Sequence, residues 1–175
     1  MRSPLSNLVR SLPKTITVEV DSREKFPLLF PATLRVWHDG ALRILAVKTK
    51  RTKLDAGDYR IAGFPNCIVE RKGSVNELAG NFLNPADAIR QANAFARLSC
   101  ACIHPVLLVE ETPTSFLRQS LTSPEDVERV VSILFEKVAQ YGFQLIMMPK
   151  TTNPSSRRLA GAMVVQAMLA WGRPQ

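Results

Sequence analysis

Asp58, Glu70 and Lys72 are the residues of this chain whose types and spacing allow chemistry. Glu70, Arg71 and Lys72 follow directly on the apolar Cys67-Ile68-Val69, and Asp58 stands just after Gly57. In a strand, alternate side chains share a face, so Glu70 and Lys72 point one way and Arg71 the other. Charge leaving a buried strand is costly unless it is paired or coordinates a metal. Strand ends are also where α/β sheets open into clefts. An antiparallel neighbour that begins at Asp58 brings this acid beside Glu70, and two converging carboxylates repel unless a cation lies between them. Oxygen ligands alone favour a hard ion, Mg²⁺ or Mn²⁺. Lys72 alongside can orient a water or stabilise charge on a phosphoryl oxygen. These are the parts of metal-assisted phosphodiester hydrolysis. The competing reading is a structural ion cluster, which if exposed contributes only about 0–1 kcal/mol per pair.

The elements that must hold these residues can be read from the pattern. Residues 15–20, TITVEV, are β-branched and predict a strand that ends at Asp21. Residues 33–37 and 41–48 predict a hairpin turning at His38-Asp39-Gly40, which leaves His38 exposed. Residues 57–62 and 66–72 predict a second pair, turning at Gly63–Asn66. Ser74 is placed to cap a helix to Leu83, with Glu77 as capping-box partner. Pro85 opens a helix with Ile89, Phe95 and Leu98 toward the core. The apolar run 105–110 predicts a strand covered on both faces. Ser123-Pro124 starts a helix that Gly142 stops after Tyr141. Residues 143–148 give another buried strand, and Asn153-Pro154 caps a last helix to Trp171. The order implies an α/β fold, a central mixed β-sheet flanked by helices. The simplest organisation is an N-terminal arm over 1–14 and one domain over 15–175.

The bulk numbers narrow the function. The 175 residues, 46% hydrophobic and 22% charged, suit a globular chain with a sizeable core. The net charge of +8 favours polyanionic partners, nucleic acid first. The run KTKRTK supplies Lys48, Lys50, Arg51 and Lys53 as candidate phosphate contacts; the competing role is a charged hairpin edge that deters aggregation. Cys67, Cys100 and Cys102 form no Cys-x-x-Cys pair and are expected as reduced thiols in the core rather than zinc ligands. No apolar run approaches the roughly 18 residues of a membrane helix, so no membrane partner is expected.

Asp21-Ser22-Arg23-Glu24, then Gly57-Asp58-Tyr59, then Glu70-Arg71-Lys72 resemble the XPF-type structure-specific endonuclease domain of the PD-(D/E)XK nuclease superfamily. The resemblance implies a restriction-endonuclease-like nuclease core. It implies that Asp58 and Glu70 ligate Mg²⁺ or Mn²⁺, that Asp21 assists them as a further ligand or from behind the ligands, and that Lys72 acts on the attacking water. Arg71, Arg23 and Glu24 would support the site, and Arg90 would touch the DNA backbone. The expected substrate is branched, flap or junction DNA in repair or recombination, and the expected assembly is a homodimer or a heterodimer with a related subunit. Two departures stand out. The family acid four residues after the lysine is Asn76 here, and Glu77 is expected to take its place through a one-residue shift. Little room is left after residue 155 for the helix-hairpin-helix domain that many relatives carry. A cytoplasmic or nucleoid-associated setting in a bacterium or phage is expected, or the nucleus in a eukaryote. The alternative function is a catalytically inactive nuclease-like module for DNA binding or dimerisation, and a basic structural protein ranks last.

Overall fold

The computed structural model describes residues 12–119, 121 and 124–172. The expected arm before residue 12 and the Ser123 cap lie outside the described residues. In chain order the elements are β1 (Thr15–Asp21), β2 (Thr33–His38), β3 (Ala41–Thr52), β4 (Tyr59–Ile61), β5 (Phe64–Lys72), α1 (Val75–Leu83), α2 (Pro85–Ala101), β6 (His104–Val109), α3 (Pro113–Leu117), α4 (Pro124–Tyr141), β7 (Gln144–Met147) and α5 (Pro154–Trp171). The strands form one mixed sheet in the order β2-β3-β1-β4-β5-β6-β7, so the expected α/β architecture holds.

Pairing is parallel for β1–β3, β5–β6 and β6–β7 and antiparallel for β2–β3, β1–β4 and β4–β5. β4 therefore begins at the sheet end where β1, β3, β5 and β6 finish. Helix α5 covers one face: Val164, Val165, Met168 and Leu169 pack on Val18, Val20, Tyr59, Val69 and Leu108. Each such side chain, fully buried, contributes about 1.5–3 kcal/mol. Gly161 lets α5 approach, because a Cβ there would sit 2.0 Å from the carbonyl oxygen of Leu29. On the other face α1, α2 and α4 cover Ile68, Leu107 and Val109 with Val75, Leu78, Phe95, Leu98, Val130 and Leu134. Among the described residues no helix is long and apolar enough to cross a membrane.

Several local expectations change. β3 runs on past residue 48 to Thr52; β2 pairs with it only as far as Ala46, so the basic run is bonded to β1 alone and its other side is a sheet edge. β5 begins at Phe64, which moves the turn to Ala62-Gly63, with Gly63 at φ +81°. His38 is buried rather than exposed, its Nε2 3.1 Å from the Asp39 carboxylate. Ile89 faces solvent while Phe95 and Leu98 are buried, because the helix phase set by those two turns position 89 outward. Cys67 is buried but Cys100 is exposed. A short helix, α3, capped by Thr112, follows β6 where no element was expected. β7 is an edge strand of four residues, one exposed and three half-buried, shorter than the buried strand predicted.

Candidate active site

Three chain segments meet at the shared end of β1, β4 and β5. The N–H of Asp21, at the end of β1, donates to the carbonyl of Asp58 at 2.8 Å, and the N–H of Asp58 donates to the carbonyl of Val69 at 2.7 Å. These bonds extend the sheet by one register step beyond Tyr59 and set Asp21, Asp58 and the end of β5 side by side. Gly57 makes the entry possible: its φ is +67°, and a Cβ there would lie 2.5 Å from Cγ2 of Ile68 and 2.9 Å from the carbonyl oxygen of Val69.

Asp58 and Glu70 share the face of the sheet that Lys72 also occupies, as the pleat predicts, and all three line a cleft of about 420 Å³. Oδ2 of Asp58 accepts the backbone N–H of Arg71 at 2.7 Å. Oε1 of Glu70 accepts from Nζ of Lys72 at 2.9 Å. Among the described residues no donor reaches Oδ1 of Asp58 or Oε2 of Glu70. Burial and the nearby Glu70 carboxylate push the Asp58 carboxyl up to about 8. Two acids crowded this closely, each with an oxygen left over, form a donor set suited to a hard divalent cation held by two carboxylates, waters and a substrate phosphate.

Lys72 is 5% exposed and heavily partnered. Nζ donates to Glu70 and, at 2.9 Å, to Oε1 of Gln91 on α2; it also stands 5.9 Å from the centre of the Phe95 ring. Burial works against its charge, but Glu70 and the other acids outweigh it, so the ammonium is held above its ordinary pKa and stays protonated. Glu77 lies 3.7 Å from the same nitrogen. Its Oε2 accepts the N–H of Gly73 at 2.8 Å, while Ser74 Oγ accepts the N–H of Glu77. The predicted capping box is thus displaced by one residue, and the Glu77 carboxylate reaches toward Lys72.

On the opposite face Arg71 is buried and paired. Its Nε donates to Oε2 of Glu110 at 2.8 Å, Nη2 donates to the same oxygen, and Nη1 lies 3.4 Å from Oε1 of Glu24. Burial opposes the guanidinium charge, but Glu110 more than compensates and raises its pKa. Arg157, at the start of α5, comes 3.8 Å from Oε1 of Glu110 and donates to the carbonyls of Phe26 and Pro27. It ties the loop after β1 to this network.

Asp21 departs from the picture of an open ligand. Oδ1 accepts from the backbone N–H and Nε of Arg23, at 2.7 and 2.9 Å, and Oδ2 from Nη2 of Arg23 at 2.6 Å and the N–H of Leu54 at 3.2 Å. The Arg23 bonds hold its carboxyl below the usual carboxylate range. Among the described residues no three His, Cys, Asp or Glu side chains stand close enough to cage a metal ion. Arg51 is exposed and bonded within the chain: Nη2 donates to the carbonyls of Ser22 and Glu24 and pins the same loop. Arg90 is exposed and lies 2.9 Å from Asp87. Lys48, Lys50 and Lys53 are exposed.

Gln91 and Arg157 were not singled out in the sequence, and Glu110, weighed as a further acid, was left outside the site. Glu110 ends an apolar run, a signal that fits a strand terminus equally well. Gln91 and Arg157 carry no local signal, since the site residues they meet, Lys72 and Glu110, are distant in the sequence.

Residues 20–153, from β1 to the N-cap of α5, match the model of the ERCC4 domain. Comparison with curated proteins gives no match. Among solved structures the chain resembles XPF from Aeropyrum pernix, with a TM-score of 0.59 at 17% identity over 91% of this chain and 62% of that one. It also resembles XPF from Aeropyrum pernix in complex with DNA, with a TM-score of 0.56 at 18% identity over 87% and 62%. This chain therefore spans less than two thirds of the length of those structures, and at such identity the likeness speaks to the fold. The family match covers both strands that carry the acids, the lysine between its partners and the helices behind them: the chain belongs to the ERCC4 domain family.

Proposed function

We propose that the chain is a divalent-metal-dependent DNA endonuclease that hydrolyses phosphodiester bonds in branched, flap or junction DNA. The observation that carries this reading is the pairing of Asp58 and Glu70 on one sheet face, each with an oxygen free of donors, beside the buried ammonium of Lys72. Asp58 and Glu70 would hold Mg²⁺ or Mn²⁺, which when bound polarises a phosphoryl oxygen and acidifies a water. Lys72 has three donors. Two go to Glu70 and Gln91, and at 3.7 Å Glu77 is too distant for a hydrogen bond with the third. That donor is left to orient a water or to meet charge on the scissile phosphate. Because Lys72 stays protonated, it positions and stabilises but does not accept the proton. Asp21 acts through Arg23, fixing the loop that walls the cleft, and Arg71 fixes Asp58 through its own backbone.

Association with a second copy or a related subunit belongs to the same proposal, and the exposed Leu117 and Phe135 are the apolar surface that supports it. One observation favours the rival reading, a DNA-docking module without catalysis: Arg23 already occupies Asp21, the third acid. End-labelled fork, flap and junction DNA incubated with Mg²⁺ or Mn²⁺ separates the two. The nuclease reading expects metal-dependent products that vanish with Glu70→Gln; binding of these DNAs with no product in either metal would leave the docking module.

A further inference from the structure

The sheet is covered unevenly. On β2 and β3, Leu34, Val36, Leu45 and Val47 are buried on the α5 side. Their alternating neighbours face the other way, and there β2 and β3 lie open. Trp37 is 73% exposed, Ile44 65% and Leu42 55%. In register, Trp37 stands opposite Leu42 and Arg35 opposite Ile44. Along β3 at two-residue steps the same face continues through Lys48 and Lys50, both exposed, to Thr52. Thr52 is the register partner of Asp21 at the mouth of the cleft. At about 3.3 Å per residue, the track from Leu42 to Thr52 runs roughly 33 Å.

The charge on this track has one sign. β2 and β3 carry no acid, and the two acids of β1, Glu19 and Asp21, are each paired with an arginine, Arg60 and Arg23, at 2.6 Å. A two-fold contact between copies of this face would set Arg35, Lys48 and Lys50 against their own kind. A polyanion meets no such penalty. The exposed Trp37 ring adds a second criterion: the bases of a duplex are already stacked on one another, whereas those of a single strand are free to stack on an aromatic side chain.

We infer that the open face of β2 and β3 is a binding platform for single-stranded DNA, with Trp37 stacking on a base and Arg35, Lys48 and Lys50 meeting phosphates along a path that ends at the Asp58–Glu70 cleft. The inference rests on the DNA reading above and adds which part of a branched substrate the chain holds. The duplex portion would be held elsewhere. Sequence-tolerant binding follows, because every base has a face to stack.

The test measures binding of a fluorescein-labelled twelve-nucleotide oligothymidine (a length of about 12 suits such platforms) and of a blunt duplex to the full chain in EDTA, by anisotropy and by Trp emission. The oligothymidine should quench Trp37. Trp37→Ala should weaken its binding about tenfold and change duplex binding less than about twofold. The Lys48→Gln/Lys50→Gln double variant should lower the log–log salt slope for the oligothymidine by about 1.4, roughly 0.7 for each phosphate contact. Unchanged oligothymidine binding by a Trp37→Ala protein with a native circular-dichroism melt would overturn the inference. So would a Trp37 already shielded from acrylamide in the free protein, since the face would then be covered by something else. Cleavage in Mg²⁺ is scored separately. Trp37-dependent binding without cleavage supports the platform and sinks the nuclease, whereas cleavage with Trp37-independent binding sinks the platform alone.

Discussion

The backbone N–H of Arg71 donates to Oδ2 of Asp58 at 2.7 Å. This one bond joins the two faces of the site. Arg71 turns its side chain into the buried Glu110 and Glu24 network, while its amide holds the acid that faces the cleft. A residue whose side chain is structural thus positions a catalytic candidate through its main chain.

Asp58 is held against its own charge. With a folded pKa near 8 and an unfolded value of 3.8, the protein binds this proton more tightly folded than unfolded. The sign is therefore a penalty: absent below pH 4, growing as pH rises from 4 to 8, and constant above. Asp58→Asn keeps an acceptor for Arg71 and removes the charge. Thermal melts in EDTA should show the variant more stable than the parent at pH 7, on the order of 2 kcal/mol, with the gap closing toward pH 4. DNA cleavage by the same variant should be lost.

Gln91 holds Lys72 from behind, and its own buried Nε2 has no partner among the described residues. Gln91→Ala should lower kcat about 10–100-fold, the usual cost of removing such a supporting group, and leave KM for DNA nearly unchanged. A rise in KM with kcat intact would show that Gln91 serves substrate binding instead.

The Arg71–Glu110 pair is enclosed, with side chains 8% and 1% exposed. Arg71→Met removes the hydrogen-bonded partner of the buried Glu110 carboxylate, leaving it only Arg157 at 3.8 Å, and should cost about 3–5 kcal/mol in denaturant unfolding. Combining it with Glu110→Leu should recover much of that loss, because no buried charge then remains from the pair.

Asp21 has the opposite sign from Asp58. The Arg23 bonds lower its pKa, so they stabilise the fold above the unfolded value near 3.8, and this contribution is lost as pH falls through the depressed folded value. Asp21→Asn should destabilise the protein by about 1.5–3 kcal/mol at pH 7, with the difference from the parent shrinking in acid. An equal loss at pH 7 and pH 3 would mean that the charge on Asp21 is immaterial.

The three acidic motifs were legible because each lies within a few residues of a strand end, and the period-two pleat alone places Glu70 and Lys72 on one face. Asp58 beside Glu70 followed from an antiparallel hairpin, a local rule. What escaped was nonlocal. Gln91 meets Lys72 only after α1 and the turn at Asn84 fold α2 back over β5. Arg157 meets Glu110 only once α5 crosses the far face. Arg23 was read as a buttress, yet its grip on both oxygens of Asp21 depends on how the loop after β1 closes. His38 looked exposed because a turn flanks it, but the strand phase set by Leu34 and Val36 turns it inward.

Metal-dependent hydrolysis at this site requires Asp58 and Glu70 together to hold one divalent ion. Titrating the protein with Mn²⁺ and counting bound ion by electron paramagnetic resonance tests it most directly. One ion per chain is expected in the parent, and that ion is expected to be lost in both Asp58→Asn and Glu70→Gln proteins of native fold. Undiminished Mn²⁺ binding in either variant would contradict it.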